Sequence, residues 1–514
     1  MSADRLSGKN IFRNTVLFGA ALVLMTVSCL MTVISNAWDE KAACTMFAAN
    51  VVLNVAIFLD LFRNIRRDFP LLIFTLSYDL LLCGRVYSVF FAHYDKVLSY
   101  LEAENFYNLY LALAIVTMAL LVVYTAYRLA APLFLKREKA ISEKGWDAIA
   151  QSPLVPMIRQ ISVVVLFVSS TAFFFVLFRT VLYVFQHGYL GSYMMKAAES
   201  SVPSVVSRMS GFFAPSFAVF LATLPSKKQM RIPIILYGAY MLTSLFTGRR
   251  NTFVCEALML AIYFVLRTAL SRKKRMPRKK VWLIILCCVA GAYVLQVMAT
   301  VRSGTGLQLT GFFSSIANFI YSQGASFRVI IQTVNCWDRF DHQMAYQFLF
   351  YPFEKYVHNN ALVRSIFGFS PIVETQNIQF VSSTHNFAHV ITFMVSPSRY
   401  LAGGGFGTSF VAEAFVAYGM AGVIVVSALV GVTFRFFASM LTRNWAVLAM
   451  SLIALKDFVY IPRNFAFSWV IDVFSLTYLA YYIAVYFAAL FFAWFGSHIR
   501  AAHGEPIGEP EEPA

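Results

Sequence analysis

Runs of 18 or more largely apolar residues recur along this chain from Thr15 nearly to its end, more than any soluble fold can bury. Each is long enough to cross the ~30 Å hydrocarbon layer as a helix. The runs are continuous rather than alternating, which excludes an outer-membrane barrel built from strands of ~10 residues. Composition agrees. Of 514 residues 59% are apolar and only 13% charged, too few charges to cover a water-facing surface of this size.

We read about 12 spans, near residues 15–35, 42–62, 70–92, 106–128, 160–186, 205–224, 232–247, 252–270, 281–300, 411–434, 444–457 and 467–495. The fold class is therefore an all-α polytopic membrane protein. Putting the N-terminus, the even-numbered loops and the C-terminus in the cytoplasm collects 26 Lys/Arg there, against 14 opposite, so both termini are expected to be cytoplasmic. The densest basic cluster, Arg272-Lys273-Lys274-Arg275 with Arg278, Lys279 and Lys280, falls in one such loop. The net charge of +17 is thus an orientation signal, and no nucleic-acid partner is expected. The first span is too long for a signal peptide and no small-residue cleavage site follows it.

Four regions follow: a nine-helix bundle over 1–300, an extracytoplasmic segment over 301–408, three further spans within 409–497, and a Pro/Glu-rich tail over 498–514 expected to be disordered. The 301–408 segment carries amphipathic stretches at Phe312–Ile331 and Ala345–Tyr356, suited to a substrate-handling lid or platform. No internal repeat is seen. Cysteines 29, 44, 83, 255, 287, 288 and 336 show neither a disulfide framework nor metal-ligand spacing.

Charges near hydrocarbon are expensive and therefore informative. Asp79 and Arg85 share the third span but not a face, so each needs a partner elsewhere; Arg179, near the end of the fifth, can snorkel to the interface. Arg249, Arg250, Arg302, Arg399 and Arg463 cluster on the outer side, against the positive-inside bias, and are read as diphosphate-binding. Guanidinium forks grip phosphate oxygens bidentately and never lose their charge. Arg328, Tyr400, Gly404 and Gly405 are read as substrate-binding. Glycines such as Gly403-Gly404-Gly405 let backbone N–H groups approach an anion ahead of a helix N-terminus. Glu413, one turn inside that helix, is either an arginine's partner or a catalytic base. His385 is the other catalytic candidate, with Glu354 and Asp457 open as bases. His385 and His389 are four apart with no carboxylate between them, so no metal is expected. No P-loop, nucleophile-elbow or Asp-x-Asp motif is present, and no cofactor is expected.

The stretch from Ser396-Pro-Ser-Arg399 through Gly403-Gly-Gly-Phe-Gly407-Thr-Ser409 and Ala412-Glu413 to Tyr418-Gly419-Met-Ala-Gly422 resembles the signature region of Wzy-type O-antigen polysaccharide polymerases. Gly248-Arg249-Arg250-Asn251 resembles that family's arginine-rich outer loop, and Tyr460-Ile-Pro-Arg463-Asn464 its late arginine motif. Asn251 and Asn464 stand where relatives often carry glycine or an acidic residue. The resemblance implies a glycosyltransferase in the bacterial inner membrane. Such an enzyme moves a growing glycan from undecaprenyl diphosphate onto a new lipid-linked repeat unit at the outer face, with a flippase and a chain-length regulator as further partners. Two rival readings are a polyprenyl-phosphate-dependent glycosyltransferase or O-antigen ligase, for which Asp39-Glu40 would be the acidic pair, and a lipid-linked oligosaccharide flippase.

Overall fold

A computed structural model describes residues 2–63, 65–134, 149, 152–194, 202–247, 250–269, 312–441 and 443–502. Every regular element among them is helical. Among the described residues nine stretches are long and apolar enough to span a membrane: Arg13–Ile34, Asn36–Arg63, Asp68–Ala92, Phe106–Phe134, Val155–His187, Ser204–Ala222, Phe410–Met440, Trp445–Arg463 and Ser468–Gly496. The chain is thus a polytopic all-α membrane protein. Where spans were expected at 232–247 and 252–270 stand the helices Lys227–Phe246 and Arg250–Ala269. The span expected at 281–300 lies outside the described residues.

Phe106–Phe134 is the central span, 72% buried, and packs between Asp39–Arg63 and Phe410–Met440. Arg13–Ile34 and Ser468–Gly496 are 17% and 22% buried and keep wide apolar faces for lipid. With no hydrophobic force between helices in lipid, small residues and polar contacts bring them together. Gly431 shows the first device: a Cβ there would stand 2.5 Å from the Val123 carbonyl. Polar contacts include Asn50 Nδ2 donating to Thr117 Oγ1 at 3.0 Å, and Arg128 paired with both Asp60 and Asp68.

Several spans depart from regular helix, two of them by a π turn and a sharp kink. The third contains a π turn at Asp79–Cys83, after which Gly84–Ala92 resumes the α-helix. Such a widened turn re-aims the side chains that follow it, here starting at Arg85. The Phe410–Met440 helix breaks at Tyr418 and at Gly419, whose φ of 59° suits glycine. Gly422 closes that bend, since a Cβ there would sit 2.2 Å from the Ala414 carbonyl.

The segment beginning at Phe312 caps one end of the bundle. Phe312–Gln323 packs on Gly84–Ala92, Ser326–Asn335 on Phe106–Leu129, and Tyr346–Asn359 on both Phe410–Met440 and Ser468–Phe474. The amphipathic stretches expected there are these helices, the first split at Gly324. A Cβ on Gly324 would lie 2.1 Å from the Arg85 amide, so glycine lets this segment lie directly on the third span. The last helix, Leu476–Ala502, runs into the tail expected from 498, because Ser497 to Ala502 contains neither proline nor glycine to stop it. Residues 503–514 lie outside the described part.

Candidate functional site

Two clusters of chemistry-bearing side chains sit under the capping segment. The first gathers arginines from three distant parts of the chain. Arg85, aimed by the π turn, stacks over Tyr321 at 4.6 Å from its ring centroid, with Nη1 3.9 Å from Glu102 Oε1. Arg328 places Nε 2.7 Å from Glu102 Oε2 and its guanidinium 4.1 Å from the Phe406 centroid. Arg399 approaches the same ring at 5.0 Å. Arg85 and Arg328 share the Glu102 carboxylate and Arg399 adds a third guanidinium at the Phe406 ring, a surplus of two positive charges over one carboxylate. Burial lowers the Arg328 pKa, with Arg399 and Arg85 adding to that and Glu102 opposing it. Excess cationic charge on stacked, part-buried arginines has the chemistry that pairs with an anion.

The glycine run sets this geometry. Gly403 and Gly407 have φ of 86° and 82°, which favour glycine. Gly404 passes so close to Arg399 that a Cβ would meet its Cγ at 2.7 Å. Phe406 is held by its amide donating to Thr392 Oγ1 at 3.1 Å, and Gln376 Nε2 donates to the Gly404 carbonyl at 3.0 Å. Gly405 is exposed on the turn. Tyr400 is buried behind it, its hydroxyl donating to the Thr375 carbonyl at 3.2 Å and so accepting from His389 Nδ1 at 2.9 Å. Burial pushes the Tyr400 phenol up to about 12.

The second cluster holds acid–base groups. His385 Nδ1 is 2.9 Å from Glu354 Oε2, and both side chains are about one-third exposed, at 37% and 34%. With Glu354 fixing Nδ1 as donor, Nε2 is the nitrogen left to accept a proton. Beside them Glu374 Oε1 accepts from Tyr351 Oη at 2.7 Å, Lys355 Nζ at 2.8 Å and Asn386 Nδ2 at 3.0 Å. The Tyr351 phenol is raised by burial and by this carboxylate. Residues 374–376 join the clusters, because Glu374 organises the second while Thr375 and Gln376 hold Tyr400 and Gly404 of the first.

Glu413 is fully buried, with Oε1 accepting from Thr408 Oγ1 at 2.5 Å and Oε2 from the Ala466 amide at 3.0 Å. It ties the end of the glycine run to the turn after Arg463. Neutral donors, not an arginine, occupy it. Arg463 ends a short helical turn, Ile461–Arg463; it is half-buried and among the described residues has neither ion-pair nor hydrogen-bond partner. Arg250 opens the Arg250–Ala269 helix. Arg249, Arg302 and the side chain of Arg250 lie outside the described residues.

A model of the family described as O-antigen polysaccharide polymerase Wzy matches residues 17–493. The chain belongs to that family. No curated protein and no solved structure matches it. The match makes this Wzy-family chain a multi-pass membrane protein of polysaccharide synthesis, a polymerase acting broadly by glycosyl transfer, which displaces the transport reading.

Of the residues singled out from sequence, the Wzy-family structure brings Arg328, Arg399, Gly404 and Gly405 to one cluster and His385 to the other. It places Glu413 and Tyr400 in the packing behind them. Sequence reasoning missed Glu102 and Phe406 as members of the arginine cluster, and Glu374. It also missed a buried group among the spans, where Lys456 Nζ lies 3.2 Å from Glu256 Oε1 and Tyr237 Oη donates to Glu256 Oε2 at 2.5 Å. Charge inside apolar runs was the available signal for Glu256 and Lys456; for Glu102 and Glu374 there was none. Among the described residues no three His, Cys, Asp or Glu are arranged to hold a metal ion. A groove of ≈ 510 Å³ lined by Arg443, Trp445, Tyr482 and Tyr486 borders the turn between Met440 and Trp445, at the opposite end from both clusters.

Proposed function

We propose that this Wzy-family chain polymerises repeat units carried on undecaprenyl diphosphate, at the outer face of a bacterial inner membrane. On the topology read from the charge distribution, about 12 spans with cytoplasmic termini, the capping segment would lie outside, where no nucleotide sugar is available and the lipid carrier is the leaving group. In each cycle the acceptor hydroxyl of a new lipid-linked unit attacks the anomeric carbon of the growing glycan. The anomeric C–O bond to the carrier breaks and the diphosphate departs with its lipid. Arg85, Arg328 and Arg399, with Arg463 and the Arg249-Arg250 turn, neutralise charge developing on that diphosphate. His385, oriented by Glu354, takes the hydroxyl proton on Nε2. Glu413 acts as a positioning residue that keeps the glycine run and the Arg463 turn together.

The observation that carries this reading is the surplus of guanidinium charge around Phe406, joined through residues 374–376 to a part-exposed His–Glu pair. A flippase would also bind such a diphosphate; the His–Glu pair beside it is what supports transfer of the acceptor proton.

The test is the gel profile of surface polysaccharide from a strain lacking this gene. Collapse of a long ladder to a single-repeat band is expected, with the same collapse for Arg249→Ala, Arg250→Ala and Arg463→Ala at normal expression. An unchanged ladder, or loss of every capped species, would overturn the assignment.

A further inference from the structure

We propose that residues 361–369 form a second kind of membrane contact, a short helix and turn seated in the interfacial layer of the bilayer beside the last span. This does not rest on the reaction assigned above.

The placement follows from what precedes this stretch. The Tyr346–Asn359 helix packs along Ser468–Phe474, and near its end Tyr356 Oη accepts from the Leu476 amide at 2.7 Å. Leu476 opens the last helix, Leu476–Ala502, after a break at Ser475, so it stands where that apolar helix begins. The end of the Tyr346–Asn359 helix is thus level with the start of that membrane-spanning helix when the chain turns at Asn360. Phe474 and Leu476 beside it are exposed, as lipid-facing residues of a span are.

What comes next is rigid and apolar. Asn360 Oδ1 caps the Ala361–Phe367 helix by accepting from the Leu362 and Val363 amides at 3.1 and 3.2 Å. Gly368, at φ 72°, ends it. Asn359 and Ile372 exchange hydrogen bonds of 2.9 and 3.1 Å, and His358 Nδ1 lies 2.8 Å from the Ser370 carbonyl, so the turn is pinned back to its starting helix. The pinned loop presents Leu362, Ile366 and Phe367 at 59%, 65% and 66% exposure, with Phe369 stacked on Phe367 at 5.9 Å. Leu362 and Ile366, four apart, share one face, while Arg364 between them points to another.

A contiguous apolar patch on an extramembrane segment needs a cover. Here the patch follows directly on a helix end tied to Leu476, where Phe474 and Leu476 are themselves exposed, so the bilayer is the occupant the geometry favours. Apolar side chains would enter the boundary between headgroups and acyl chains, aromatic rings would sit at headgroup level, and Arg364 would reach lipid phosphates. Glu354 lies on the tethered helix, so this seat also fixes its height above the membrane, where lipid-linked sugars arrive.

The experiment uses the full chain in nanodiscs of phosphatidylethanolamine and phosphatidylglycerol. One nitroxide is placed at Ile366→Cys or Phe367→Cys, with the native cysteines replaced, and Ser382→Cys, exposed in the same segment, is the aqueous control. Oxygen should relax the labels at 366 and 367 more than an aqueous nickel chelate does, with the order reversed at 382. Equal nickel access at 366 and 382 overturns the proposal. So does dipolar broadening between labels with no preference for oxygen, which would make the patch a contact between copies. If cysteine replacement prevents folding, hydrogen exchange on the unaltered chain decides. Amides of 361–372 should exchange more slowly in nanodiscs than in amphipol, and equal rates refute the seat.

Discussion

The arginine cluster can be tested by changing Arg328 and Glu102 separately, because a structural ion pair and an anion site predict opposite asymmetries. Arg328 Nε and Glu102 Oε2 are 2.7 Å apart, with side chains 23% and 33% exposed. At an effective dielectric near 20, two unit charges at that spacing attract by about 6 kcal/mol gross. Desolvation and partial exposure cut the net worth of this resident pair to about 1 kcal/mol. A diphosphate oxygen held by Arg328 in a water-excluded site is another matter, since truncating one partner of such a contact costs about 2–5 kcal/mol. Arg328→Ala should therefore lower kcat/KM for lipid-linked repeat units by about 150-fold if the loss is ~3 kcal/mol. Glu102→Gln should do the reverse, because it removes the one carboxylate competing for the same guanidinium groups. It should lower KM for the lipid-linked donor while reducing stability by only ~1 kcal/mol. The assay is polymerisation of purified lipid-linked repeat units by the enzyme in proteoliposomes, read as chain-length distribution against time, with thermal melting in parallel. Equal losses of activity in both variants, tracking equal losses of stability, would refute the anion-site reasoning and leave a plain structural pair.

Three further outcomes follow from the geometry. His385→Ala should lower kcat about 10²- to 10⁴-fold with donor KM little changed, and Glu354→Gln should lower it less, since the imidazole stays but loses its orienting charge; rates at saturating substrate check both. Glu413→Gln turns an amide NH2 toward either Thr408 or the Ala466 N–H, costing about 1–3 kcal/mol of stability seen as a lower melting temperature, while Glu413→Ala costs more. Gly404→Ala drives a methyl against the Arg399 stem and should destabilise by about 1–3 kcal/mol while raising donor KM, whereas Gly405→Ala, with open space around its Cβ, should do neither.

How much of this was legible before the coordinates follows from range. Apolar runs are local and long, and nine stretches among the described residues stand where apolar run length put spans. The glycine run was legible too, since its unusual backbone is written in the residue type, and Glu413 was legible as a buried carboxylate because it sits in an apolar run. Its partners were not. Thr408 is near in sequence, but the Ala466 amide comes from across the bundle, and no pattern announces a backbone donor. The same limit hid the arginine cluster. Arg85, Glu102, Arg328 and Phe406 meet only because a π turn re-aims the third span and Gly324 lets the capping segment lie on it. Read singly, Arg85 was a span charge in need of a partner, and nothing near Glu102 in the sequence marked it as that partner.

The linkage through residues 374–376 bears on how transfer could be kept from running to water. A base that is always competent would hydrolyse the glycan from its carrier whenever water reached the anomeric carbon. In this fold the proposed base and the proposed leaving-group site are joined through one segment. Gln376 holds the carbonyl of Gly404, Gly404 lies under Arg399, and Glu374, two residues before Gln376, holds Asn386 beside His385. Charge arriving on Arg399 and Arg328 would therefore bear on the segment that also sets the position of His385. Gln376→Ala removes that coupling while touching neither the arginines nor the histidine. The variant should keep donor affinity within about threefold, less than 1 kcal/mol, and release more free glycan per bond formed. Counting released oligosaccharide against polymer in the proteoliposome assay measures the ratio, and an unchanged ratio would mean that the two clusters act independently.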